Sequence, residues 1–131
     1  MAQITRCSGG FGHSDTAGYG NSWMAAYASG VGVRVSGFGR YGAIGNGSTA
    51  NVTVSNNVAL PSLPIDFVHT GDAPGSLFIL GTDRNIYAWG YNNTDGQTGL
   101  GLTGITATVQ KVTLPGTVAK IITRGASAYG Y

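Results

Sequence analysis

The chain has 131 residues and a formal net charge of +2; 42% of it is hydrophobic and 9% charged, against roughly 25% charged in an average soluble chain. That much apolar material in so short a chain excludes intrinsic disorder and a two-domain enzyme, and seven basic residues without a run exclude the electrostatic footprint of a nucleic-acid or membrane-surface binder. Glycine occurs 23 times without a Gly-X-Y period, Glu is absent, and Val, Thr, Tyr and Ile are plentiful, so the expected class is all-β and turn-rich.

In chain order, the start (Met1 to Cys7) lacks the positive flank and apolar stretch of a secretory signal, and no stretch approaches the ~20 apolar residues that span a bilayer. Cys7 is the single cysteine; with no partner for an internal bridge, it is expected to be buried. Strand-like runs then follow at Ser22–Tyr27, Gly32–Ser36, Val52–Leu60 and Ile65–Thr70, which read as the four strands of one unit. A second set occupies Ser76–Leu80, Asn85–Trp89, Thr108–Leu114 and Val118–Thr123, with Pro61, Pro64 and Pro115 at strand edges, where a missing N–H does least harm.

The two sets are copies. Ser22 matches Ser76 at an offset of 54 and Gly37 matches Gly90 at 53, and each copy continues into a Gly-rich stretch, 38–47 and 91–101. The two ends also match, Ile4-Thr-Arg with Ile122-Thr-Arg at an offset of 118. Residues 1–21 therefore read as a partial repeat with an insertion near Asp15 to Gly20, 22–72 as a degenerate repeat, 73–125 as a full repeat and 126–131 as the start of another.

The second copy carries a resemblance. Ile86-Tyr-Ala-Trp-Gly-Tyr-Asn, then Gly96-Gln-Thr-Gly-Leu-Gly101 and Val109-Gln-Lys-Val, resembles the repeat of the regulator of chromosome condensation family. Residues 22–72 follow it loosely, with Ser36 in place of Trp and Gly42-Ala-Ile-Gly45 in place of the Gly-Gln-Leu-Gly loop. The resemblance implies β-propeller blades, with Trp89 packed between them and no catalytic position that carries over. Two four-stranded blades make only a partial propeller, because a repeat protein normally needs about three units to bury its faces. Completion is expected from further chain or from other copies, three of which would close a ring of about six blades.

Motifs for chemistry are thin. Gly37-Phe-Gly-Arg-Tyr-Gly42 spells a dinucleotide fingerprint, but the residues after it cannot hold the helix that a pyrophosphate needs. His13 and His69 have no zinc-type spacing, no Gly-x-Ser-x-Gly elbow marks a nucleophile, and the Asn92–Gly96 stretch lacks the ligand pattern of an EF-hand and reads as a hairpin turn. The sequons at Asn46, Asn51 and Asn92 read as loops. The expectation is therefore no enzyme, no metal and no cofactor. What remains is aromatic and polar side chains on corresponding loops, Phe38, Arg40 and Tyr41 in the first copy and Tyr91, Asn92, Asn93 and Asp95 in the second, as candidate ligand-binding residues.

Low charge, abundant Gly, Thr, Asn and Ser, and degenerate repeats resemble phage tail-fibre and virion adhesins. The first expectation is thus a non-enzymatic structural or receptor-binding virion segment contacting a cell-surface glycan, neighbouring virion proteins or its own copies, by repetition of modest sites. The alternative is a cellular propeller acting as a guanine-nucleotide exchange factor or protein-interaction scaffold.

Overall fold

The computed structural model describes residues 3–12, 21–69, 72–73, 76–92, 98–101, 104–124 and 127–130. Every regular element among them is a strand. Four strands, β1 (Arg6–Gly12), β2 (Asn21–Ala28), β3 (Gly32–Gly37) and β4 (Val52–Asn57), form an antiparallel meander, extended past β1 by the two-residue parallel strand β6 (Asp72–Ala73). A second antiparallel sheet has the order β5 (Pro64–His69), β7 (Ser76–Gly81), β8 (Ile86–Asn92), β9 (Gly104–Lys111). The hairpin β10 (Ile121–Arg124) and β11 (Ser127–Gly130) starts a third unit, with β10 beside β5.

The fold class is as the sequence implies, all-β with blade-like sheets, but the frame of the units is shifted. The strand at Pro64–His69 does not close the first unit; it pairs with Ser76–Gly81 and opens the second sheet. Hence each sheet takes its first strand from the end of the preceding sequence repeat. This threads neighbouring sheets through one another's sequence and leaves no clean linker between them. The register also corrects the alignment by one place. Trp23 opposes Gly37 and Ser76 opposes Gly90, so Ser76 corresponds to Trp23 rather than to Ser22. A one-residue slip matters because it exchanges the two faces of a strand.

Repetition extends to the backbone. Left-handed glycines recur as Gly37 and Gly90, Gly45 and Gly99, Gly47 and Gly101. The Val58 N–H donates to Val33 O at 3.0 Å as the Val112 N–H donates to Ile86 O at 2.9 Å. The Val31 N–H donates to Ala28 O as the Arg84 N–H donates to Gly81 O. These bonds join residues at matching positions of the two copies, so the same turns are built twice from different side chains.

The core lies between the sheets. One face of the first sheet presents Trp23, Ala25, Tyr27, Val33 and Val35 to Phe67, Leu77, Ile79, Tyr87 and Trp89 of the second. The other face of the second sheet packs Phe78, Leu80, Ile86 and Ala88 onto Val112, Val118 and Ile121. All six residues of β7 are therefore buried, a continuous apolar run of the kind expected of a strand covered on both sides. Among the described residues the first sheet is covered on one face only; on the other, Met24, Arg34 and Cys7 are exposed. Cys7 is thus not a core residue: it opposes Ala26 on the uncovered face, where the second sheet has the buried Phe67 opposite Ile79.

Candidate functional site

The stretch after β3 leaves the first sheet and lies across the second. Gly42 has φ +79°, and a Cβ there would stand 3.0 Å from Ala107 Cα and Thr106 O. Only a glycine lets the loop approach β9 so closely. Gly45, at φ +70°, lies as near to Trp89: a Cβ would meet Nε1 at 3.0 Å. The fully buried Trp89 donates its Nε1–H to Ala43 O at 2.9 Å, and the Gly47 N–H donates to Ala107 O at 2.9 Å. Gly42, the last glycine of the dinucleotide-like motif, thus serves with Gly45 and Gly47 to lock one sheet onto the next.

This loop also assembles the candidate residues. Because Gly42 holds the loop against β9, Tyr41 is placed beside Tyr91, which pairs with Ile105 at the end of β8. The two rings are 5.1 Å apart in a T-shaped arrangement, and Phe38 meets Tyr41 at 5.8 Å. The Arg40 guanidinium carbon lies 5.9 Å from the centre of the Tyr41 ring, within the range of a cation–π contact. Ser76 Oγ donates to the Tyr91 carbonyl and ties the end of β8 to β7. The result is a half-buried aromatic seam bridging two sheets, with one exposed cation at its rim.

Of the seven residues proposed from sequence, the structure brings together Phe38, Arg40, Tyr41 and Tyr91. The side chain of Asn92, and all of Asn93 and Asp95, lie outside the described residues, as does the expected turn at 93–96. Among the described residues no group of His, Cys, Asp and Glu is arranged to hold a metal ion. His69 stands edge-on to Trp23 at 5.0 Å, with the remaining described aromatic residues of that cluster packed in the core. What sequence reasoning missed is the uncovered face of the first sheet, where Ala26 and Arg34 take the places that Ile79 and Tyr87 hold in the second. The signal was there, as the positions where the first copy departs from the second, but it needed the corrected register to be visible.

One further polar pair lies at the β7–β8 turn. Tyr87 Oη donates to Asp83 Oδ2 at 2.6 Å, and the hydrogen bond, aided by burial, pushes the phenol up to about 12. Burial alone would raise Asp83, but hydrogen bonds from Tyr87, Asn85 and Ser62 outweigh it and bring the carboxyl down to about 2. This pair braces a turn and has the character of a structural clasp.

No family model matches the chain, and no curated protein matches it. Among solved structures it is similar to human WBSCR16, an RCC1-like propeller protein, with a TM-score of 0.61 and 22% sequence identity over 79% of this chain. The fold is that of propeller blades. The chain spans 27% of the length of that structure. At that identity the likeness bears on the fold alone.

Proposed function

We propose that the chain is a non-enzymatic protein-recognition module, a pair of blades from a propeller of the regulator of chromosome condensation type, which engages a protein partner through the seam of Phe38, Tyr41 and Tyr91 and its rim cation Arg40. The observation that carries this reading is the seam itself. It gathers three aromatic rings from two sheets at a surface loop, and aromatic residues with an Arg neighbour are the residue types enriched in protein-binding hot spots. The likeness to an RCC1-like propeller supports a scaffold or exchange-factor role over a virion adhesin. Completion of the ring by further blades, from the same polypeptide or from other copies, is part of the proposal.

Two panels test it, one of purified small GTPases with release of fluorescent guanine nucleotide as the readout, the other a glycan array. Binding to a GTPase that falls at least tenfold in a Tyr41→Ala/Tyr91→Ala variant fits the proposal. Glycan binding lost in the same variant, with no GTPase bound, replaces it with the adhesin reading.

A further inference from the structure

The sequence holds one Asn-Gly pair, Asn46-Gly47, and it falls in the loop that crosses from the first sheet onto β9 of the second. Such a pair is chemically distinctive. Glycine has no Cβ to crowd its own nitrogen, so that nitrogen can attack the side-chain carbonyl carbon of the asparagine before it. At the matching place of the second copy stands Leu100-Gly101, which has no amide to attack, so the chemistry belongs to this loop and not to the repeat.

Two hydrogen bonds at the pair pull in opposite directions. The Ser48 N–H donates to Asn46 Oδ1 at 3.0 Å, which draws charge onto that oxygen, leaves Cγ the better electrophile and places a donor where an oxyanion would develop. The Gly47 N–H donates to Ala107 O at 2.9 Å, so the would-be nucleophile is spent on seating the loop, with Gly47 held at φ +81°. The bonds also differ in range. The first joins residues two places apart and needs only the local turn; the second joins two sheets and is lost when they part. Asn46 itself is exposed, so water has access to it throughout.

We propose that Asn46 is a site of spontaneous conversion to isoaspartate, armed by Ser48 and latched by the contact of Gly47 with Ala107. In the released loop the Gly47 nitrogen gives its proton to hydroxide and bonds to Asn46 Cγ. The Cγ–Nδ2 bond breaks, and ammonia leaves with a proton taken from water, which restores the hydroxide and closes a succinimide. Water then adds to one of the two ring carbonyls, opening the ring either to an ordinary aspartate or to an isoaspartyl linkage in which the main chain runs through Cγ. The second product lengthens the main chain by one carbon and adds a carboxylate, so Gly47 no longer reaches Ala107 O and Tyr41, carried by the same loop, loses its seat beside Tyr91. Because loop opening is fast beside the chemistry, the rate follows the open population. None of this depends on which partner the aromatic seam engages.

The test incubates the full chain in mildly alkaline buffer. Peptide mapping by mass spectrometry reads the exchange of amide for acid at Asn46, an isoaspartyl methyltransferase assay reads the linkage, and hydrogen exchange reads the protection of the Gly47 amide. Conversion is expected to be at least about tenfold slower in the native chain than in urea. Gly45→Ala, whose Cβ would press on Trp89 beneath the loop, should raise the native rate at least about tenfold in step with lost protection of Gly47, whereas Tyr87→Phe, which loosens the β7–β8 turn, should leave it within about twofold. Should Gly45→Ala fail to fold, urea below the unfolding transition gives the same reading on the native chain, since conversion and Gly47 exchange must rise together. Equal rates in the native chain and in urea overturn the proposal, as do loss of Gly47 protection without faster conversion and the absence of conversion at Asn46 in urea. A rise in Tyr87→Phe that matches the rise in Gly45→Ala makes the release global unfolding and overturns the latch.

Discussion

The two sheets share strand order, turns and the positions of their left-handed glycines, yet they treat the same face in opposite ways. In the second sheet Trp89 and Tyr87 lie on a covered face; in the first, Ser36 and Arg34 lie on an open one. Backbone hydrogen bonds such as Val58 to Val33 and Val112 to Ile86 survive this exchange, because they are satisfied within the sheet whatever the side chains do. Packing does not survive it, since burial depends on what lies opposite. Turn chemistry thus sets the shape of a blade, and the side chains of one face set whether it seats against a neighbour.

The sharpest way to break that comparison is to truncate matching positions. Trp89→Ala is expected to lower stability by about 3–5 kcal/mol, because it empties the centre of the interface and orphans the Ala43 carbonyl, whereas Ser36→Ala shifts it by less than about 0.5 kcal/mol. Urea midpoints at constant m-value check both. Comparable losses at the two sites would mean that the open face is covered in solution.

A smaller effect is expected from the lock between sheets. Gly45→Ala combines a left-handed backbone with a Cβ 3.0 Å from Trp89 and Val58 and should cost roughly 2 kcal/mol; Gly30→Ala, with a similar φ of +69° but open space around it, should cost about 1 kcal/mol. The difference between the two, read from thermal melts, isolates the close approach from the backbone strain.

Tyr87→Phe removes the clasp that Arg34 cannot make in the first sheet, at a cost of about 1 kcal/mol, the exposed position of Asp83 reducing what a charged hydrogen bond would otherwise contribute. Its signature is in the pH profile. Tyr87 is raised, so its contribution is fully present below pH 10 and is lost as pH climbs from 10 to about 12. Asp83 is depressed, so its contribution is present above about pH 4 and fades as pH falls towards about 2. Stability measured across pH should slope at both ends in the native chain; in Y87F the alkaline slope should flatten and the acid slope shrink, since Asn85 and Ser62 still hold Asp83 down. The smallest effect belongs to Arg84, at φ +63° in the β7–β8 turn: Arg84→Gly should gain up to about 1 kcal/mol by relieving the left-handed strain, less what the Arg84 contact to Ala119 O supplies.

Composition and repetition made the all-β class and the tandem copies legible in the sequence, and marked Phe38, Tyr41 and Tyr91 as loop residues; that their rings meet across two sheets was not written there. Glycine, Trp-Gly and alternating apolar residues act locally, and local preferences are written in consecutive residues. Strand limits were less legible: Thr108–Leu114 is in fact Gly104–Lys111, and the expected strand at Val118–Thr123 begins only at Ile121. Val118 is buried there without strand pairing, its N–H donating to Arg84 O at 2.9 Å, so an apolar residue was mistaken for a strand residue.

By itself the sequence determined what each segment prefers to be, because turns, strands and their repetition depend on neighbours along the chain. Only the tertiary structure decided which sheet owns β5, that Cys7 lies in the open, and that Arg34 and Ala26 stand where Tyr87 and Ile79 would fill a core. Those facts depend on pairing partners and on what covers a face, contacts between residues distant in the chain that no local pattern encodes.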